Sequence, residues 1–328
     1  MNNLFKYYII FILMNSIWIE KYRPTEFKDI LGQDTIINCL KKMIKNKSLP
    51  HMLFHGNSGT GKTTTILTII NKLYGSTNNS FFVMKLNASN NRGINTIRKE
   101  VKGFAEKKVV FNQKIKIIIL DEVDSMTYDA QFALRRIIEK YSDTTRFFLI
   151  CNYINKIIPA IRSRCLNFRF NPIKTKNIFS KLKSISISEK LKISDKHLNL
   201  VSLLVEGDIR KAINILQTLS TTKINEKNIY NLLGCPDKKT IYIFIKNIFN
   251  LKNDLQKVIK KNNYYKYSQY NFSNFIKYVC NYIIDNNMII DKLPFIIREL
   301  AQLEYNSHKS FLLEIYFNMI SCILFKYR

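Results

Sequence analysis

The chain has 328 residues, 46% of them hydrophobic, 12% aromatic and 23% charged, with only nine glycines and six prolines. That length holds two or three domains with a real apolar core, the composition excludes a disordered protein, and the scarcity of turn residues argues against an all-β fold. Lys plus Arg outnumbers Asp plus Glu by 52 to 24, and a net charge of +28 attracts polyanions, nucleic acid first, although a Lys- and Asn-rich bias that merely coats the surface gives the same total.

At the start of the chain, Tyr7 to Met14 is an apolar run preceded by Lys6. It is too short to span a bilayer, so no membrane association is expected, and no small-residue cleavage pattern follows it. Residues 1–17 read as an N-terminal extension, with Met14, just ahead of Trp18, as a candidate translation start.

Short apolar runs at Met52–Phe54, Phe81–Leu86, Ile115–Leu120 and Arg146–Cys151, with a fifth at Leu166–Phe170, have the look of buried parallel strands. Helical patterns alternate with them. From Ile94, apolar positions recur at Ile97, Val101 and Phe104, which predicts a helix with Arg98, Lys99 and Lys102 on other faces. The alternation predicts a doubly wound α/β domain over residues 18–171, with a five-stranded parallel sheet.

Pro172 punctuates the chain, and strand signals then largely stop. Residues 172–234 read as a small helical domain with helices at Ile178–Ser188, His197–Val205 and Asp208–Leu219, the last N-capped by Asp208. Gly234-Cys235-Pro236 marks a second boundary. Residues 235–328 form a Lys-, Tyr- and Ile-rich helical domain in which Pro294 is the later breaker. The six scattered cysteines, with no CxxC, suggest reduced thiols, and His51 and His55 lack the partners of a metal site.

The chemistry concentrates after the first strand. Gly56-Asn57-Ser58-Gly59-Thr60-Gly61-Lys62-Thr63 matches the P-loop pattern GxxxxGK[ST] and opens a helix from Thr63 to Tyr74. Backbone N–H groups and the positive helix end converge there on phosphate oxygens, so Gly56 through Thr64 form a candidate phosphate cradle. Lys62 is placed to reach the β- and γ-phosphates of ATP, and Thr63 to ligate Mg²⁺. Downstream, the strand Ile117–Leu120 delivers Asp121 and Glu122 at its carboxyl end, where open α/β sheets bind ligands. Asp121 is the candidate magnesium holder. Glu122 is the candidate that orients the attacking water.

Together with Ser163-Arg164-Cys165, these motifs resemble the AAA+ clamp-loader family, most closely the small subunits of replication factor C of the subunit 3/5 type. Trp18-Ile19-Glu20-Lys21-Tyr22-Arg23-Pro24, Leu86 to Ile94, Ala133-Leu134-Arg135-Arg136, Cys151-Asn152-Tyr153 and Gly207 to Ala212 follow in family order. The resemblance covers about Trp18 to Leu219 and continues only as a helical collar. Departures are small: Asn57-Ser58 stands where Pro-Pro is common, Val123 where Ala is usual, and Asn91 where an acid often precedes the arginine.

The resemblance implies an α/β AAA+ ATPase domain, a helical lid and an all-helical oligomerisation collar. It implies a nuclear, ATP-binding subunit of a heteropentamer that opens a ring-shaped sliding clamp (proliferating cell nuclear antigen) and places it on primer-template DNA for replication and repair. It further implies that Asn152 is sensor 1, that Arg210 is sensor 2, and that Ile19, Arg23 and Leu31 surround adenine and ribose. Arg164 is implied to be a finger acting on the neighbouring subunit's ATP. Plainer readings remain for each: a strand-ending turn for Asn152, a solvated helix position for Arg210, linker and core packing for the apolar set, and local ion pairing for Arg164. Arg92, Arg98 and Lys102 are the candidate DNA-phosphate contacts, with Arg98 and Lys102 one helical turn apart. Phe104 to Phe111 could touch the clamp, or simply pack into the core. Two alternatives of other kinds stay open: a non-hydrolysing structural subunit of the assembly, and a lone AAA+ DNA motor such as a branch-migration helicase.

Overall fold

The computed structural model describes residues 17–75, 81–89, 97–107, 115–250, 254–262, 267, 269–288, 290–307 and 313–328. The run Tyr7–Met14, Arg92 and Phe111 lie outside them. The chain divides into two compact units, one ending at Thr218 and the other running from Leu219 to Arg328.

In the first unit, α1 (Trp18–Lys21) and α2 (Asp34–Lys45) precede β1 (Met52–Gly56) and α3 (Lys62–Tyr74). There follow β2 (Val83–Asn87), a π-helical turn (Ile97–Val101) leading into α4 (Lys102–Glu106), and β3 (Lys116–Asp121). After α5 (Tyr128–Lys140), β4 (Thr145–Cys151), α6 (Pro159–Arg162) and β5 (Leu166–Phe170), three helices complete the unit: α7 (Thr175–Ser188), α8 (Asp195–Leu204) and most of α9 (Ile209–Thr221). All five strands are parallel, in the order β2-β3-β4-β1-β5.

The continuous apolar runs of β1, β3 and β4 exist because these strands are covered on both faces. Period-two alternation then divides each strand between two cores. In β3, Ile117 and Ile119 pack with Met52, Phe54, Ile66 and Ile69, while Ile118 and Leu120 pack with Leu53, Leu134, Phe147 and Leu149. The edge strand β5 instead buries Phe168 and Phe170 and exposes Leu166, Asn167 and Arg169. Lys116 is an exception within this apolar core. Its ammonium, on a residue only 3% exposed, donates to the carbonyls of Phe104 (2.9 Å), Ala105 (2.5 Å) and Lys107 (2.6 Å), closing the carboxyl end of α4. Burial holds that ammonium below its ordinary pKa.

The helix expected from Ile94 onward differs in kind. From Ile97 to Val101 it is π-helical and becomes α-helical only at Lys102. The four-residue step between the apolar Ile97 and Val101 fits either pitch, so spacing alone could not separate them. Arg98 falls in the π-helical turn and Lys102 opens α4, so the two lie on different kinds of helix. The second strand also begins later than expected, at Val83, and leaves Phe81 exposed.

The second unit contains α10 (Glu226–Leu233), α11 (Lys238–Asn250), α12 (Leu255–Lys261), α13 (Phe272–Asp285), α14 (Leu293–Ser307) and α15 (Leu313–Tyr327). Its core is built on interlocked rings: Phe275 lies 5.0 Å from Phe244 and 5.2 Å from Phe317, centroid to centroid, in edge-on and tilted geometries. Gly234, at φ 62°, closes α10. Pro294 breaks nothing: it is the second residue of α14, a first-turn position where its missing N–H costs no hydrogen bond. The unit boundary at Leu219 falls inside α9, with no glycine or proline to announce it. Among the described residues, no helix is long and apolar enough to cross a membrane.

Candidate functional site

Three loops at the carboxyl edge of the sheet build the site. Because β4 lies between β3 and β1, residues leaving β4 stand between the acids that end β3 and the loop that follows β1. Two glycines permit the loop's path. A Cβ on Gly56 (φ 139°) would lie 2.3 Å from the Phe170 carbonyl oxygen of β5, and one on Gly59 (φ 66°) would lie 1.7 Å from Oδ1 of Asp208.

The Lys62 side chain folds back over the loop. Nζ donates to the carbonyls of Gly56 (2.7 Å) and Asn57 (2.8 Å) and to Oδ1 of Asn152 (3.0 Å). Burial pulls its pKa down, opposed by the nearby Asp121 carboxylate, while Arg210 adds to the lowering. The hydroxyl of Thr63 donates to Oδ2 of Asp121 at 3.2 Å, and the N–H of Glu122 donates to Oδ1 of the same carboxylate at 3.0 Å. Two hard oxygen donors thus sit side by side, a set that suits Mg²⁺ completed by phosphate and water oxygens. Among the described residues there is no group of three or more His, Cys, Asp or Glu side chains able to hold a metal alone.

A lid completes the cleft. Asp208 N-caps α9 as expected, accepting the N–H of Lys211 at 2.9 Å, and the N–H of Ile209 reaches the Gly59 carbonyl at 3.3 Å. The start of α9 is therefore bonded directly to the phosphate loop, which puts Arg210 at the cleft. Lys21 and Tyr22 both donate to Glu189 at 2.6 Å, and the Trp18 N–H donates to Gln217 at 3.1 Å, holding α1 against the lid helices. The result is a cleft that opens to solvent at the carboxyl edge of the sheet. Ile19, Arg23, Leu31, Ser58 to Thr64, Asp121, Glu122, Asn152 and Arg210 all line it. Gly56 and Asn57 stand behind it, holding Lys62 through their carbonyls.

Comparison with known proteins decides the family. Residues 52–173 match the ATPase family associated with various cellular activities (AAA). The probable replication factor C subunit 5 of Dictyostelium discoideum is 46% identical over 239 residues, covering 71% of this chain and 69% of that protein. Human replication factor C subunit 5 is 42% identical over 231 residues, covering 70% and 68%. The chain belongs to the replication factor C small-subunit family. A solved structure of the Thermotoga maritima RuvB Holliday junction branch migration motor superposes with a TM-score of 0.52 at 17% identity, covering 73% of this chain and 84% of that one, which shows a shared fold alone. Within the replication factor C family, the chain is a clamp-loader component carrying a nucleotide-binding AAA ATPase domain.

Other expected residues fall elsewhere in this replication factor C fold. Arg164 lies outside the cleft, just after α6, where Nη2 meets Oε1 of Glu139 at 2.5 Å and Nη1 donates to the Ala160 carbonyl at 2.8 Å. It does not serve its own chain's cleft; the local pairing considered for it is present, and its side chain is still 37% exposed. Of the DNA candidates, Arg92 lies outside the described residues, Arg98 falls in the π-helical turn, and the exposed Lys102 approaches Glu106 at 3.6 Å. Phe104 packs half-buried against the core, favouring the packing reading over a clamp contact.

His51 and the buried Cys151 and Cys165 are structural. His51 accepts the Phe147 N–H through Nδ1 at 3.2 Å, and burial, helped by Arg146, lowers its pKa to about 4. All six cysteines are free, and burial pushes the Cys151 and Cys165 thiols up to about 12, away from reactive thiolate. Sequence reasoning missed Tyr22, Pro24, Asp29 and Lys181 as cleft residues. Lys181 reads as one more solvated lysine on α7, and only the helix packing turns it towards the cleft. Asp124 had a signal, its place in the acidic motif, but no assigned use.

Proposed function

We propose that this chain is an ATP-binding and ATP-hydrolysing subunit of the heteropentameric replication factor C, helping to open the sliding clamp and place it on primer-template DNA. The observation that carries this reading is the convergence of Lys62, the Thr63–Asp121 pair, Glu122, Asn152 and Arg210, from separate elements, on one cleft. Lys62 binds the phosphate tail, and Thr63 and Asp121 hold magnesium. When bound, that ion neutralises charge on the phosphate oxygens. Glu122 orients and polarises the attacking water, Asn152 orients the water or the γ-phosphate, and Arg210 brings positive charge from the lid. Ile19, Arg23 and Leu31 flank the base and ribose.

The exposed Arg164, paired with Glu139 at the surface, completes the pocket of an adjoining subunit, which makes turnover conditional on assembly. Arg92, Arg98 and Lys102 contact DNA phosphates without reading bases. The ATPase domain, lid and collar divide as residues 18–171, 172–234 and 235–328, and the protein works in the nucleus. ATP has leverage over the clamp only through contacts that differ between open and closed states.

The test is a reconstituted pentamer carrying Lys62→Ala. Loss of ATP-dependent clamp loading supports the reading. Unchanged loading assigns the site a structural role, and strand separation by the chain as a lone ring would make it a motor.

A further inference from the structure

Asp124 closes the acidic motif, yet neither the phosphate cradle nor the magnesium pair uses it. From the 3-10 turn Val123–Ser125 its carboxylate reaches the end of β4, where Oδ2 accepts the N–H of Asn152 at 3.1 Å and of Tyr153 at 3.0 Å. The Asn152 side chain, so placed, accepts from Lys62 at 3.0 Å. The same turn begins at Glu122, a non-glycine residue at φ 55°, kept there as the N–H and hydroxyl of Ser125 donate to its carbonyl at 2.9 and 2.7 Å. One carboxylate therefore ties the turn that carries Glu122 to the strand end that carries Asn152.

We propose that Asp124 is a positioning residue that fixes Asn152 relative to Glu122 at the γ-phosphate end of the cleft. The inference deepens the nucleotide reading above and rests on it. Two charge-assisted bonds to consecutive amides constrain both the place and the direction of the backbone at Asn152 more tightly than a single bond would. A competing role exists on the same atoms: the Asp124 charge also favours the ionised form of Lys62. Asparagine at position 124 separates the two, because it keeps an acceptor for the amides and removes the charge.

The experiment uses the reconstituted pentamer with the other subunits' P-loop lysines replaced, so that only this cleft reports. Affinities for ATPγS and ADP are measured, together with single-turnover hydrolysis. Asp124→Ala should cut the preference for ATPγS over ADP by roughly tenfold and turnover by roughly 30- to 100-fold, as expected for a misplaced polar group, while ADP affinity stays within about threefold. Asp124→Asn should restore most of both. In an Asn152→Ala background, Asp124→Ala should add nothing further, the mark of a residue acting through its partner. The proposal is overturned by an inert Asp124→Ala, by an Asp124→Asn as impaired as the alanine variant, or by losses that simply add to those of Asn152→Ala. The affinity preference decides even where the site binds without turning over. An unsubstituted cleft that binds no nucleotide would sink the functional reading itself, and this inference with it.

Discussion

The two compact units use buried side chains differently. In the first, the residues that matter most are polar groups held at the sheet's carboxyl edge, such as Lys62, which is 7% exposed and bonded to Gly56, Asn57 and Asn152. In the second, burial is spent on interlocked rings around Phe275, with Asn262 as an internal polar tie, donating to the Phe244 carbonyl at 3.1 Å and accepting from Asn247 at 2.8 Å. The contrast teaches that damage should separate. Changes at the sheet edge should alter chemistry with little loss of stability, and changes among the rings should do the reverse.

The largest effect on turnover is expected at Arg164. Arg164→Ala should lower turnover at the adjoining subunit's site by roughly 10³-fold, about 4 kcal/mol, with this chain's own ATP affinity intact. Turnover in mixed assemblies checks it, and lost affinity in this cleft would contradict a role in trans. Phe275→Ala, a fully buried ring, should destabilise the second unit by about 3–5 kcal/mol, read as a lower denaturant midpoint, and leave nucleotide affinity unchanged.

His51 gives the comparison a pH dependence. Its folded pKa of about 4 lies below the ordinary 6.5, so the folded state binds fewer protons than the unfolded state between those values. Its contribution is fully present above about pH 6.5 and fades as pH falls towards 4. For a partly solvated ring this amounts to roughly 1–2 kcal/mol. Denaturant melts across that window should be flatter for His51→Gln. The smallest effect is at Asp208, where alanine removes the cap of α9 at a cost of about 1 kcal/mol. Because that helix start also bonds the Gly59 carbonyl, ATP affinity should weaken with it, measurable by equilibrium titration.

The same contrast explains what the sequence could reveal. Strands covered on both faces print themselves as apolar runs, so Met52–Phe54 and Ile115–Leu120 stood out, and the glycines of the phosphate loop carry their own spacing. The lid helix was legible through Asp208, because capping is local. What stayed hidden depends on distant pairings. Lys116 reads as an ordinary lysine until α4 presents three carbonyls to it, and Lys181 joins the cleft only through helix packing. Pro294 misleads because a helix-opening proline and a helix-breaking one look alike in sequence. The junction at Leu219 is invisible because the helix runs straight through it.

The most direct measurement is equilibrium binding of a fluorescent ATP analogue to the assembled complex in which this chain alone keeps its P-loop lysine. One saturable site, weakened at least about tenfold by Lys62→Ala, is the result predicted. Binding that ignores the substitution, or no binding at all, would contradict the claim that this cleft holds a nucleotide's phosphates.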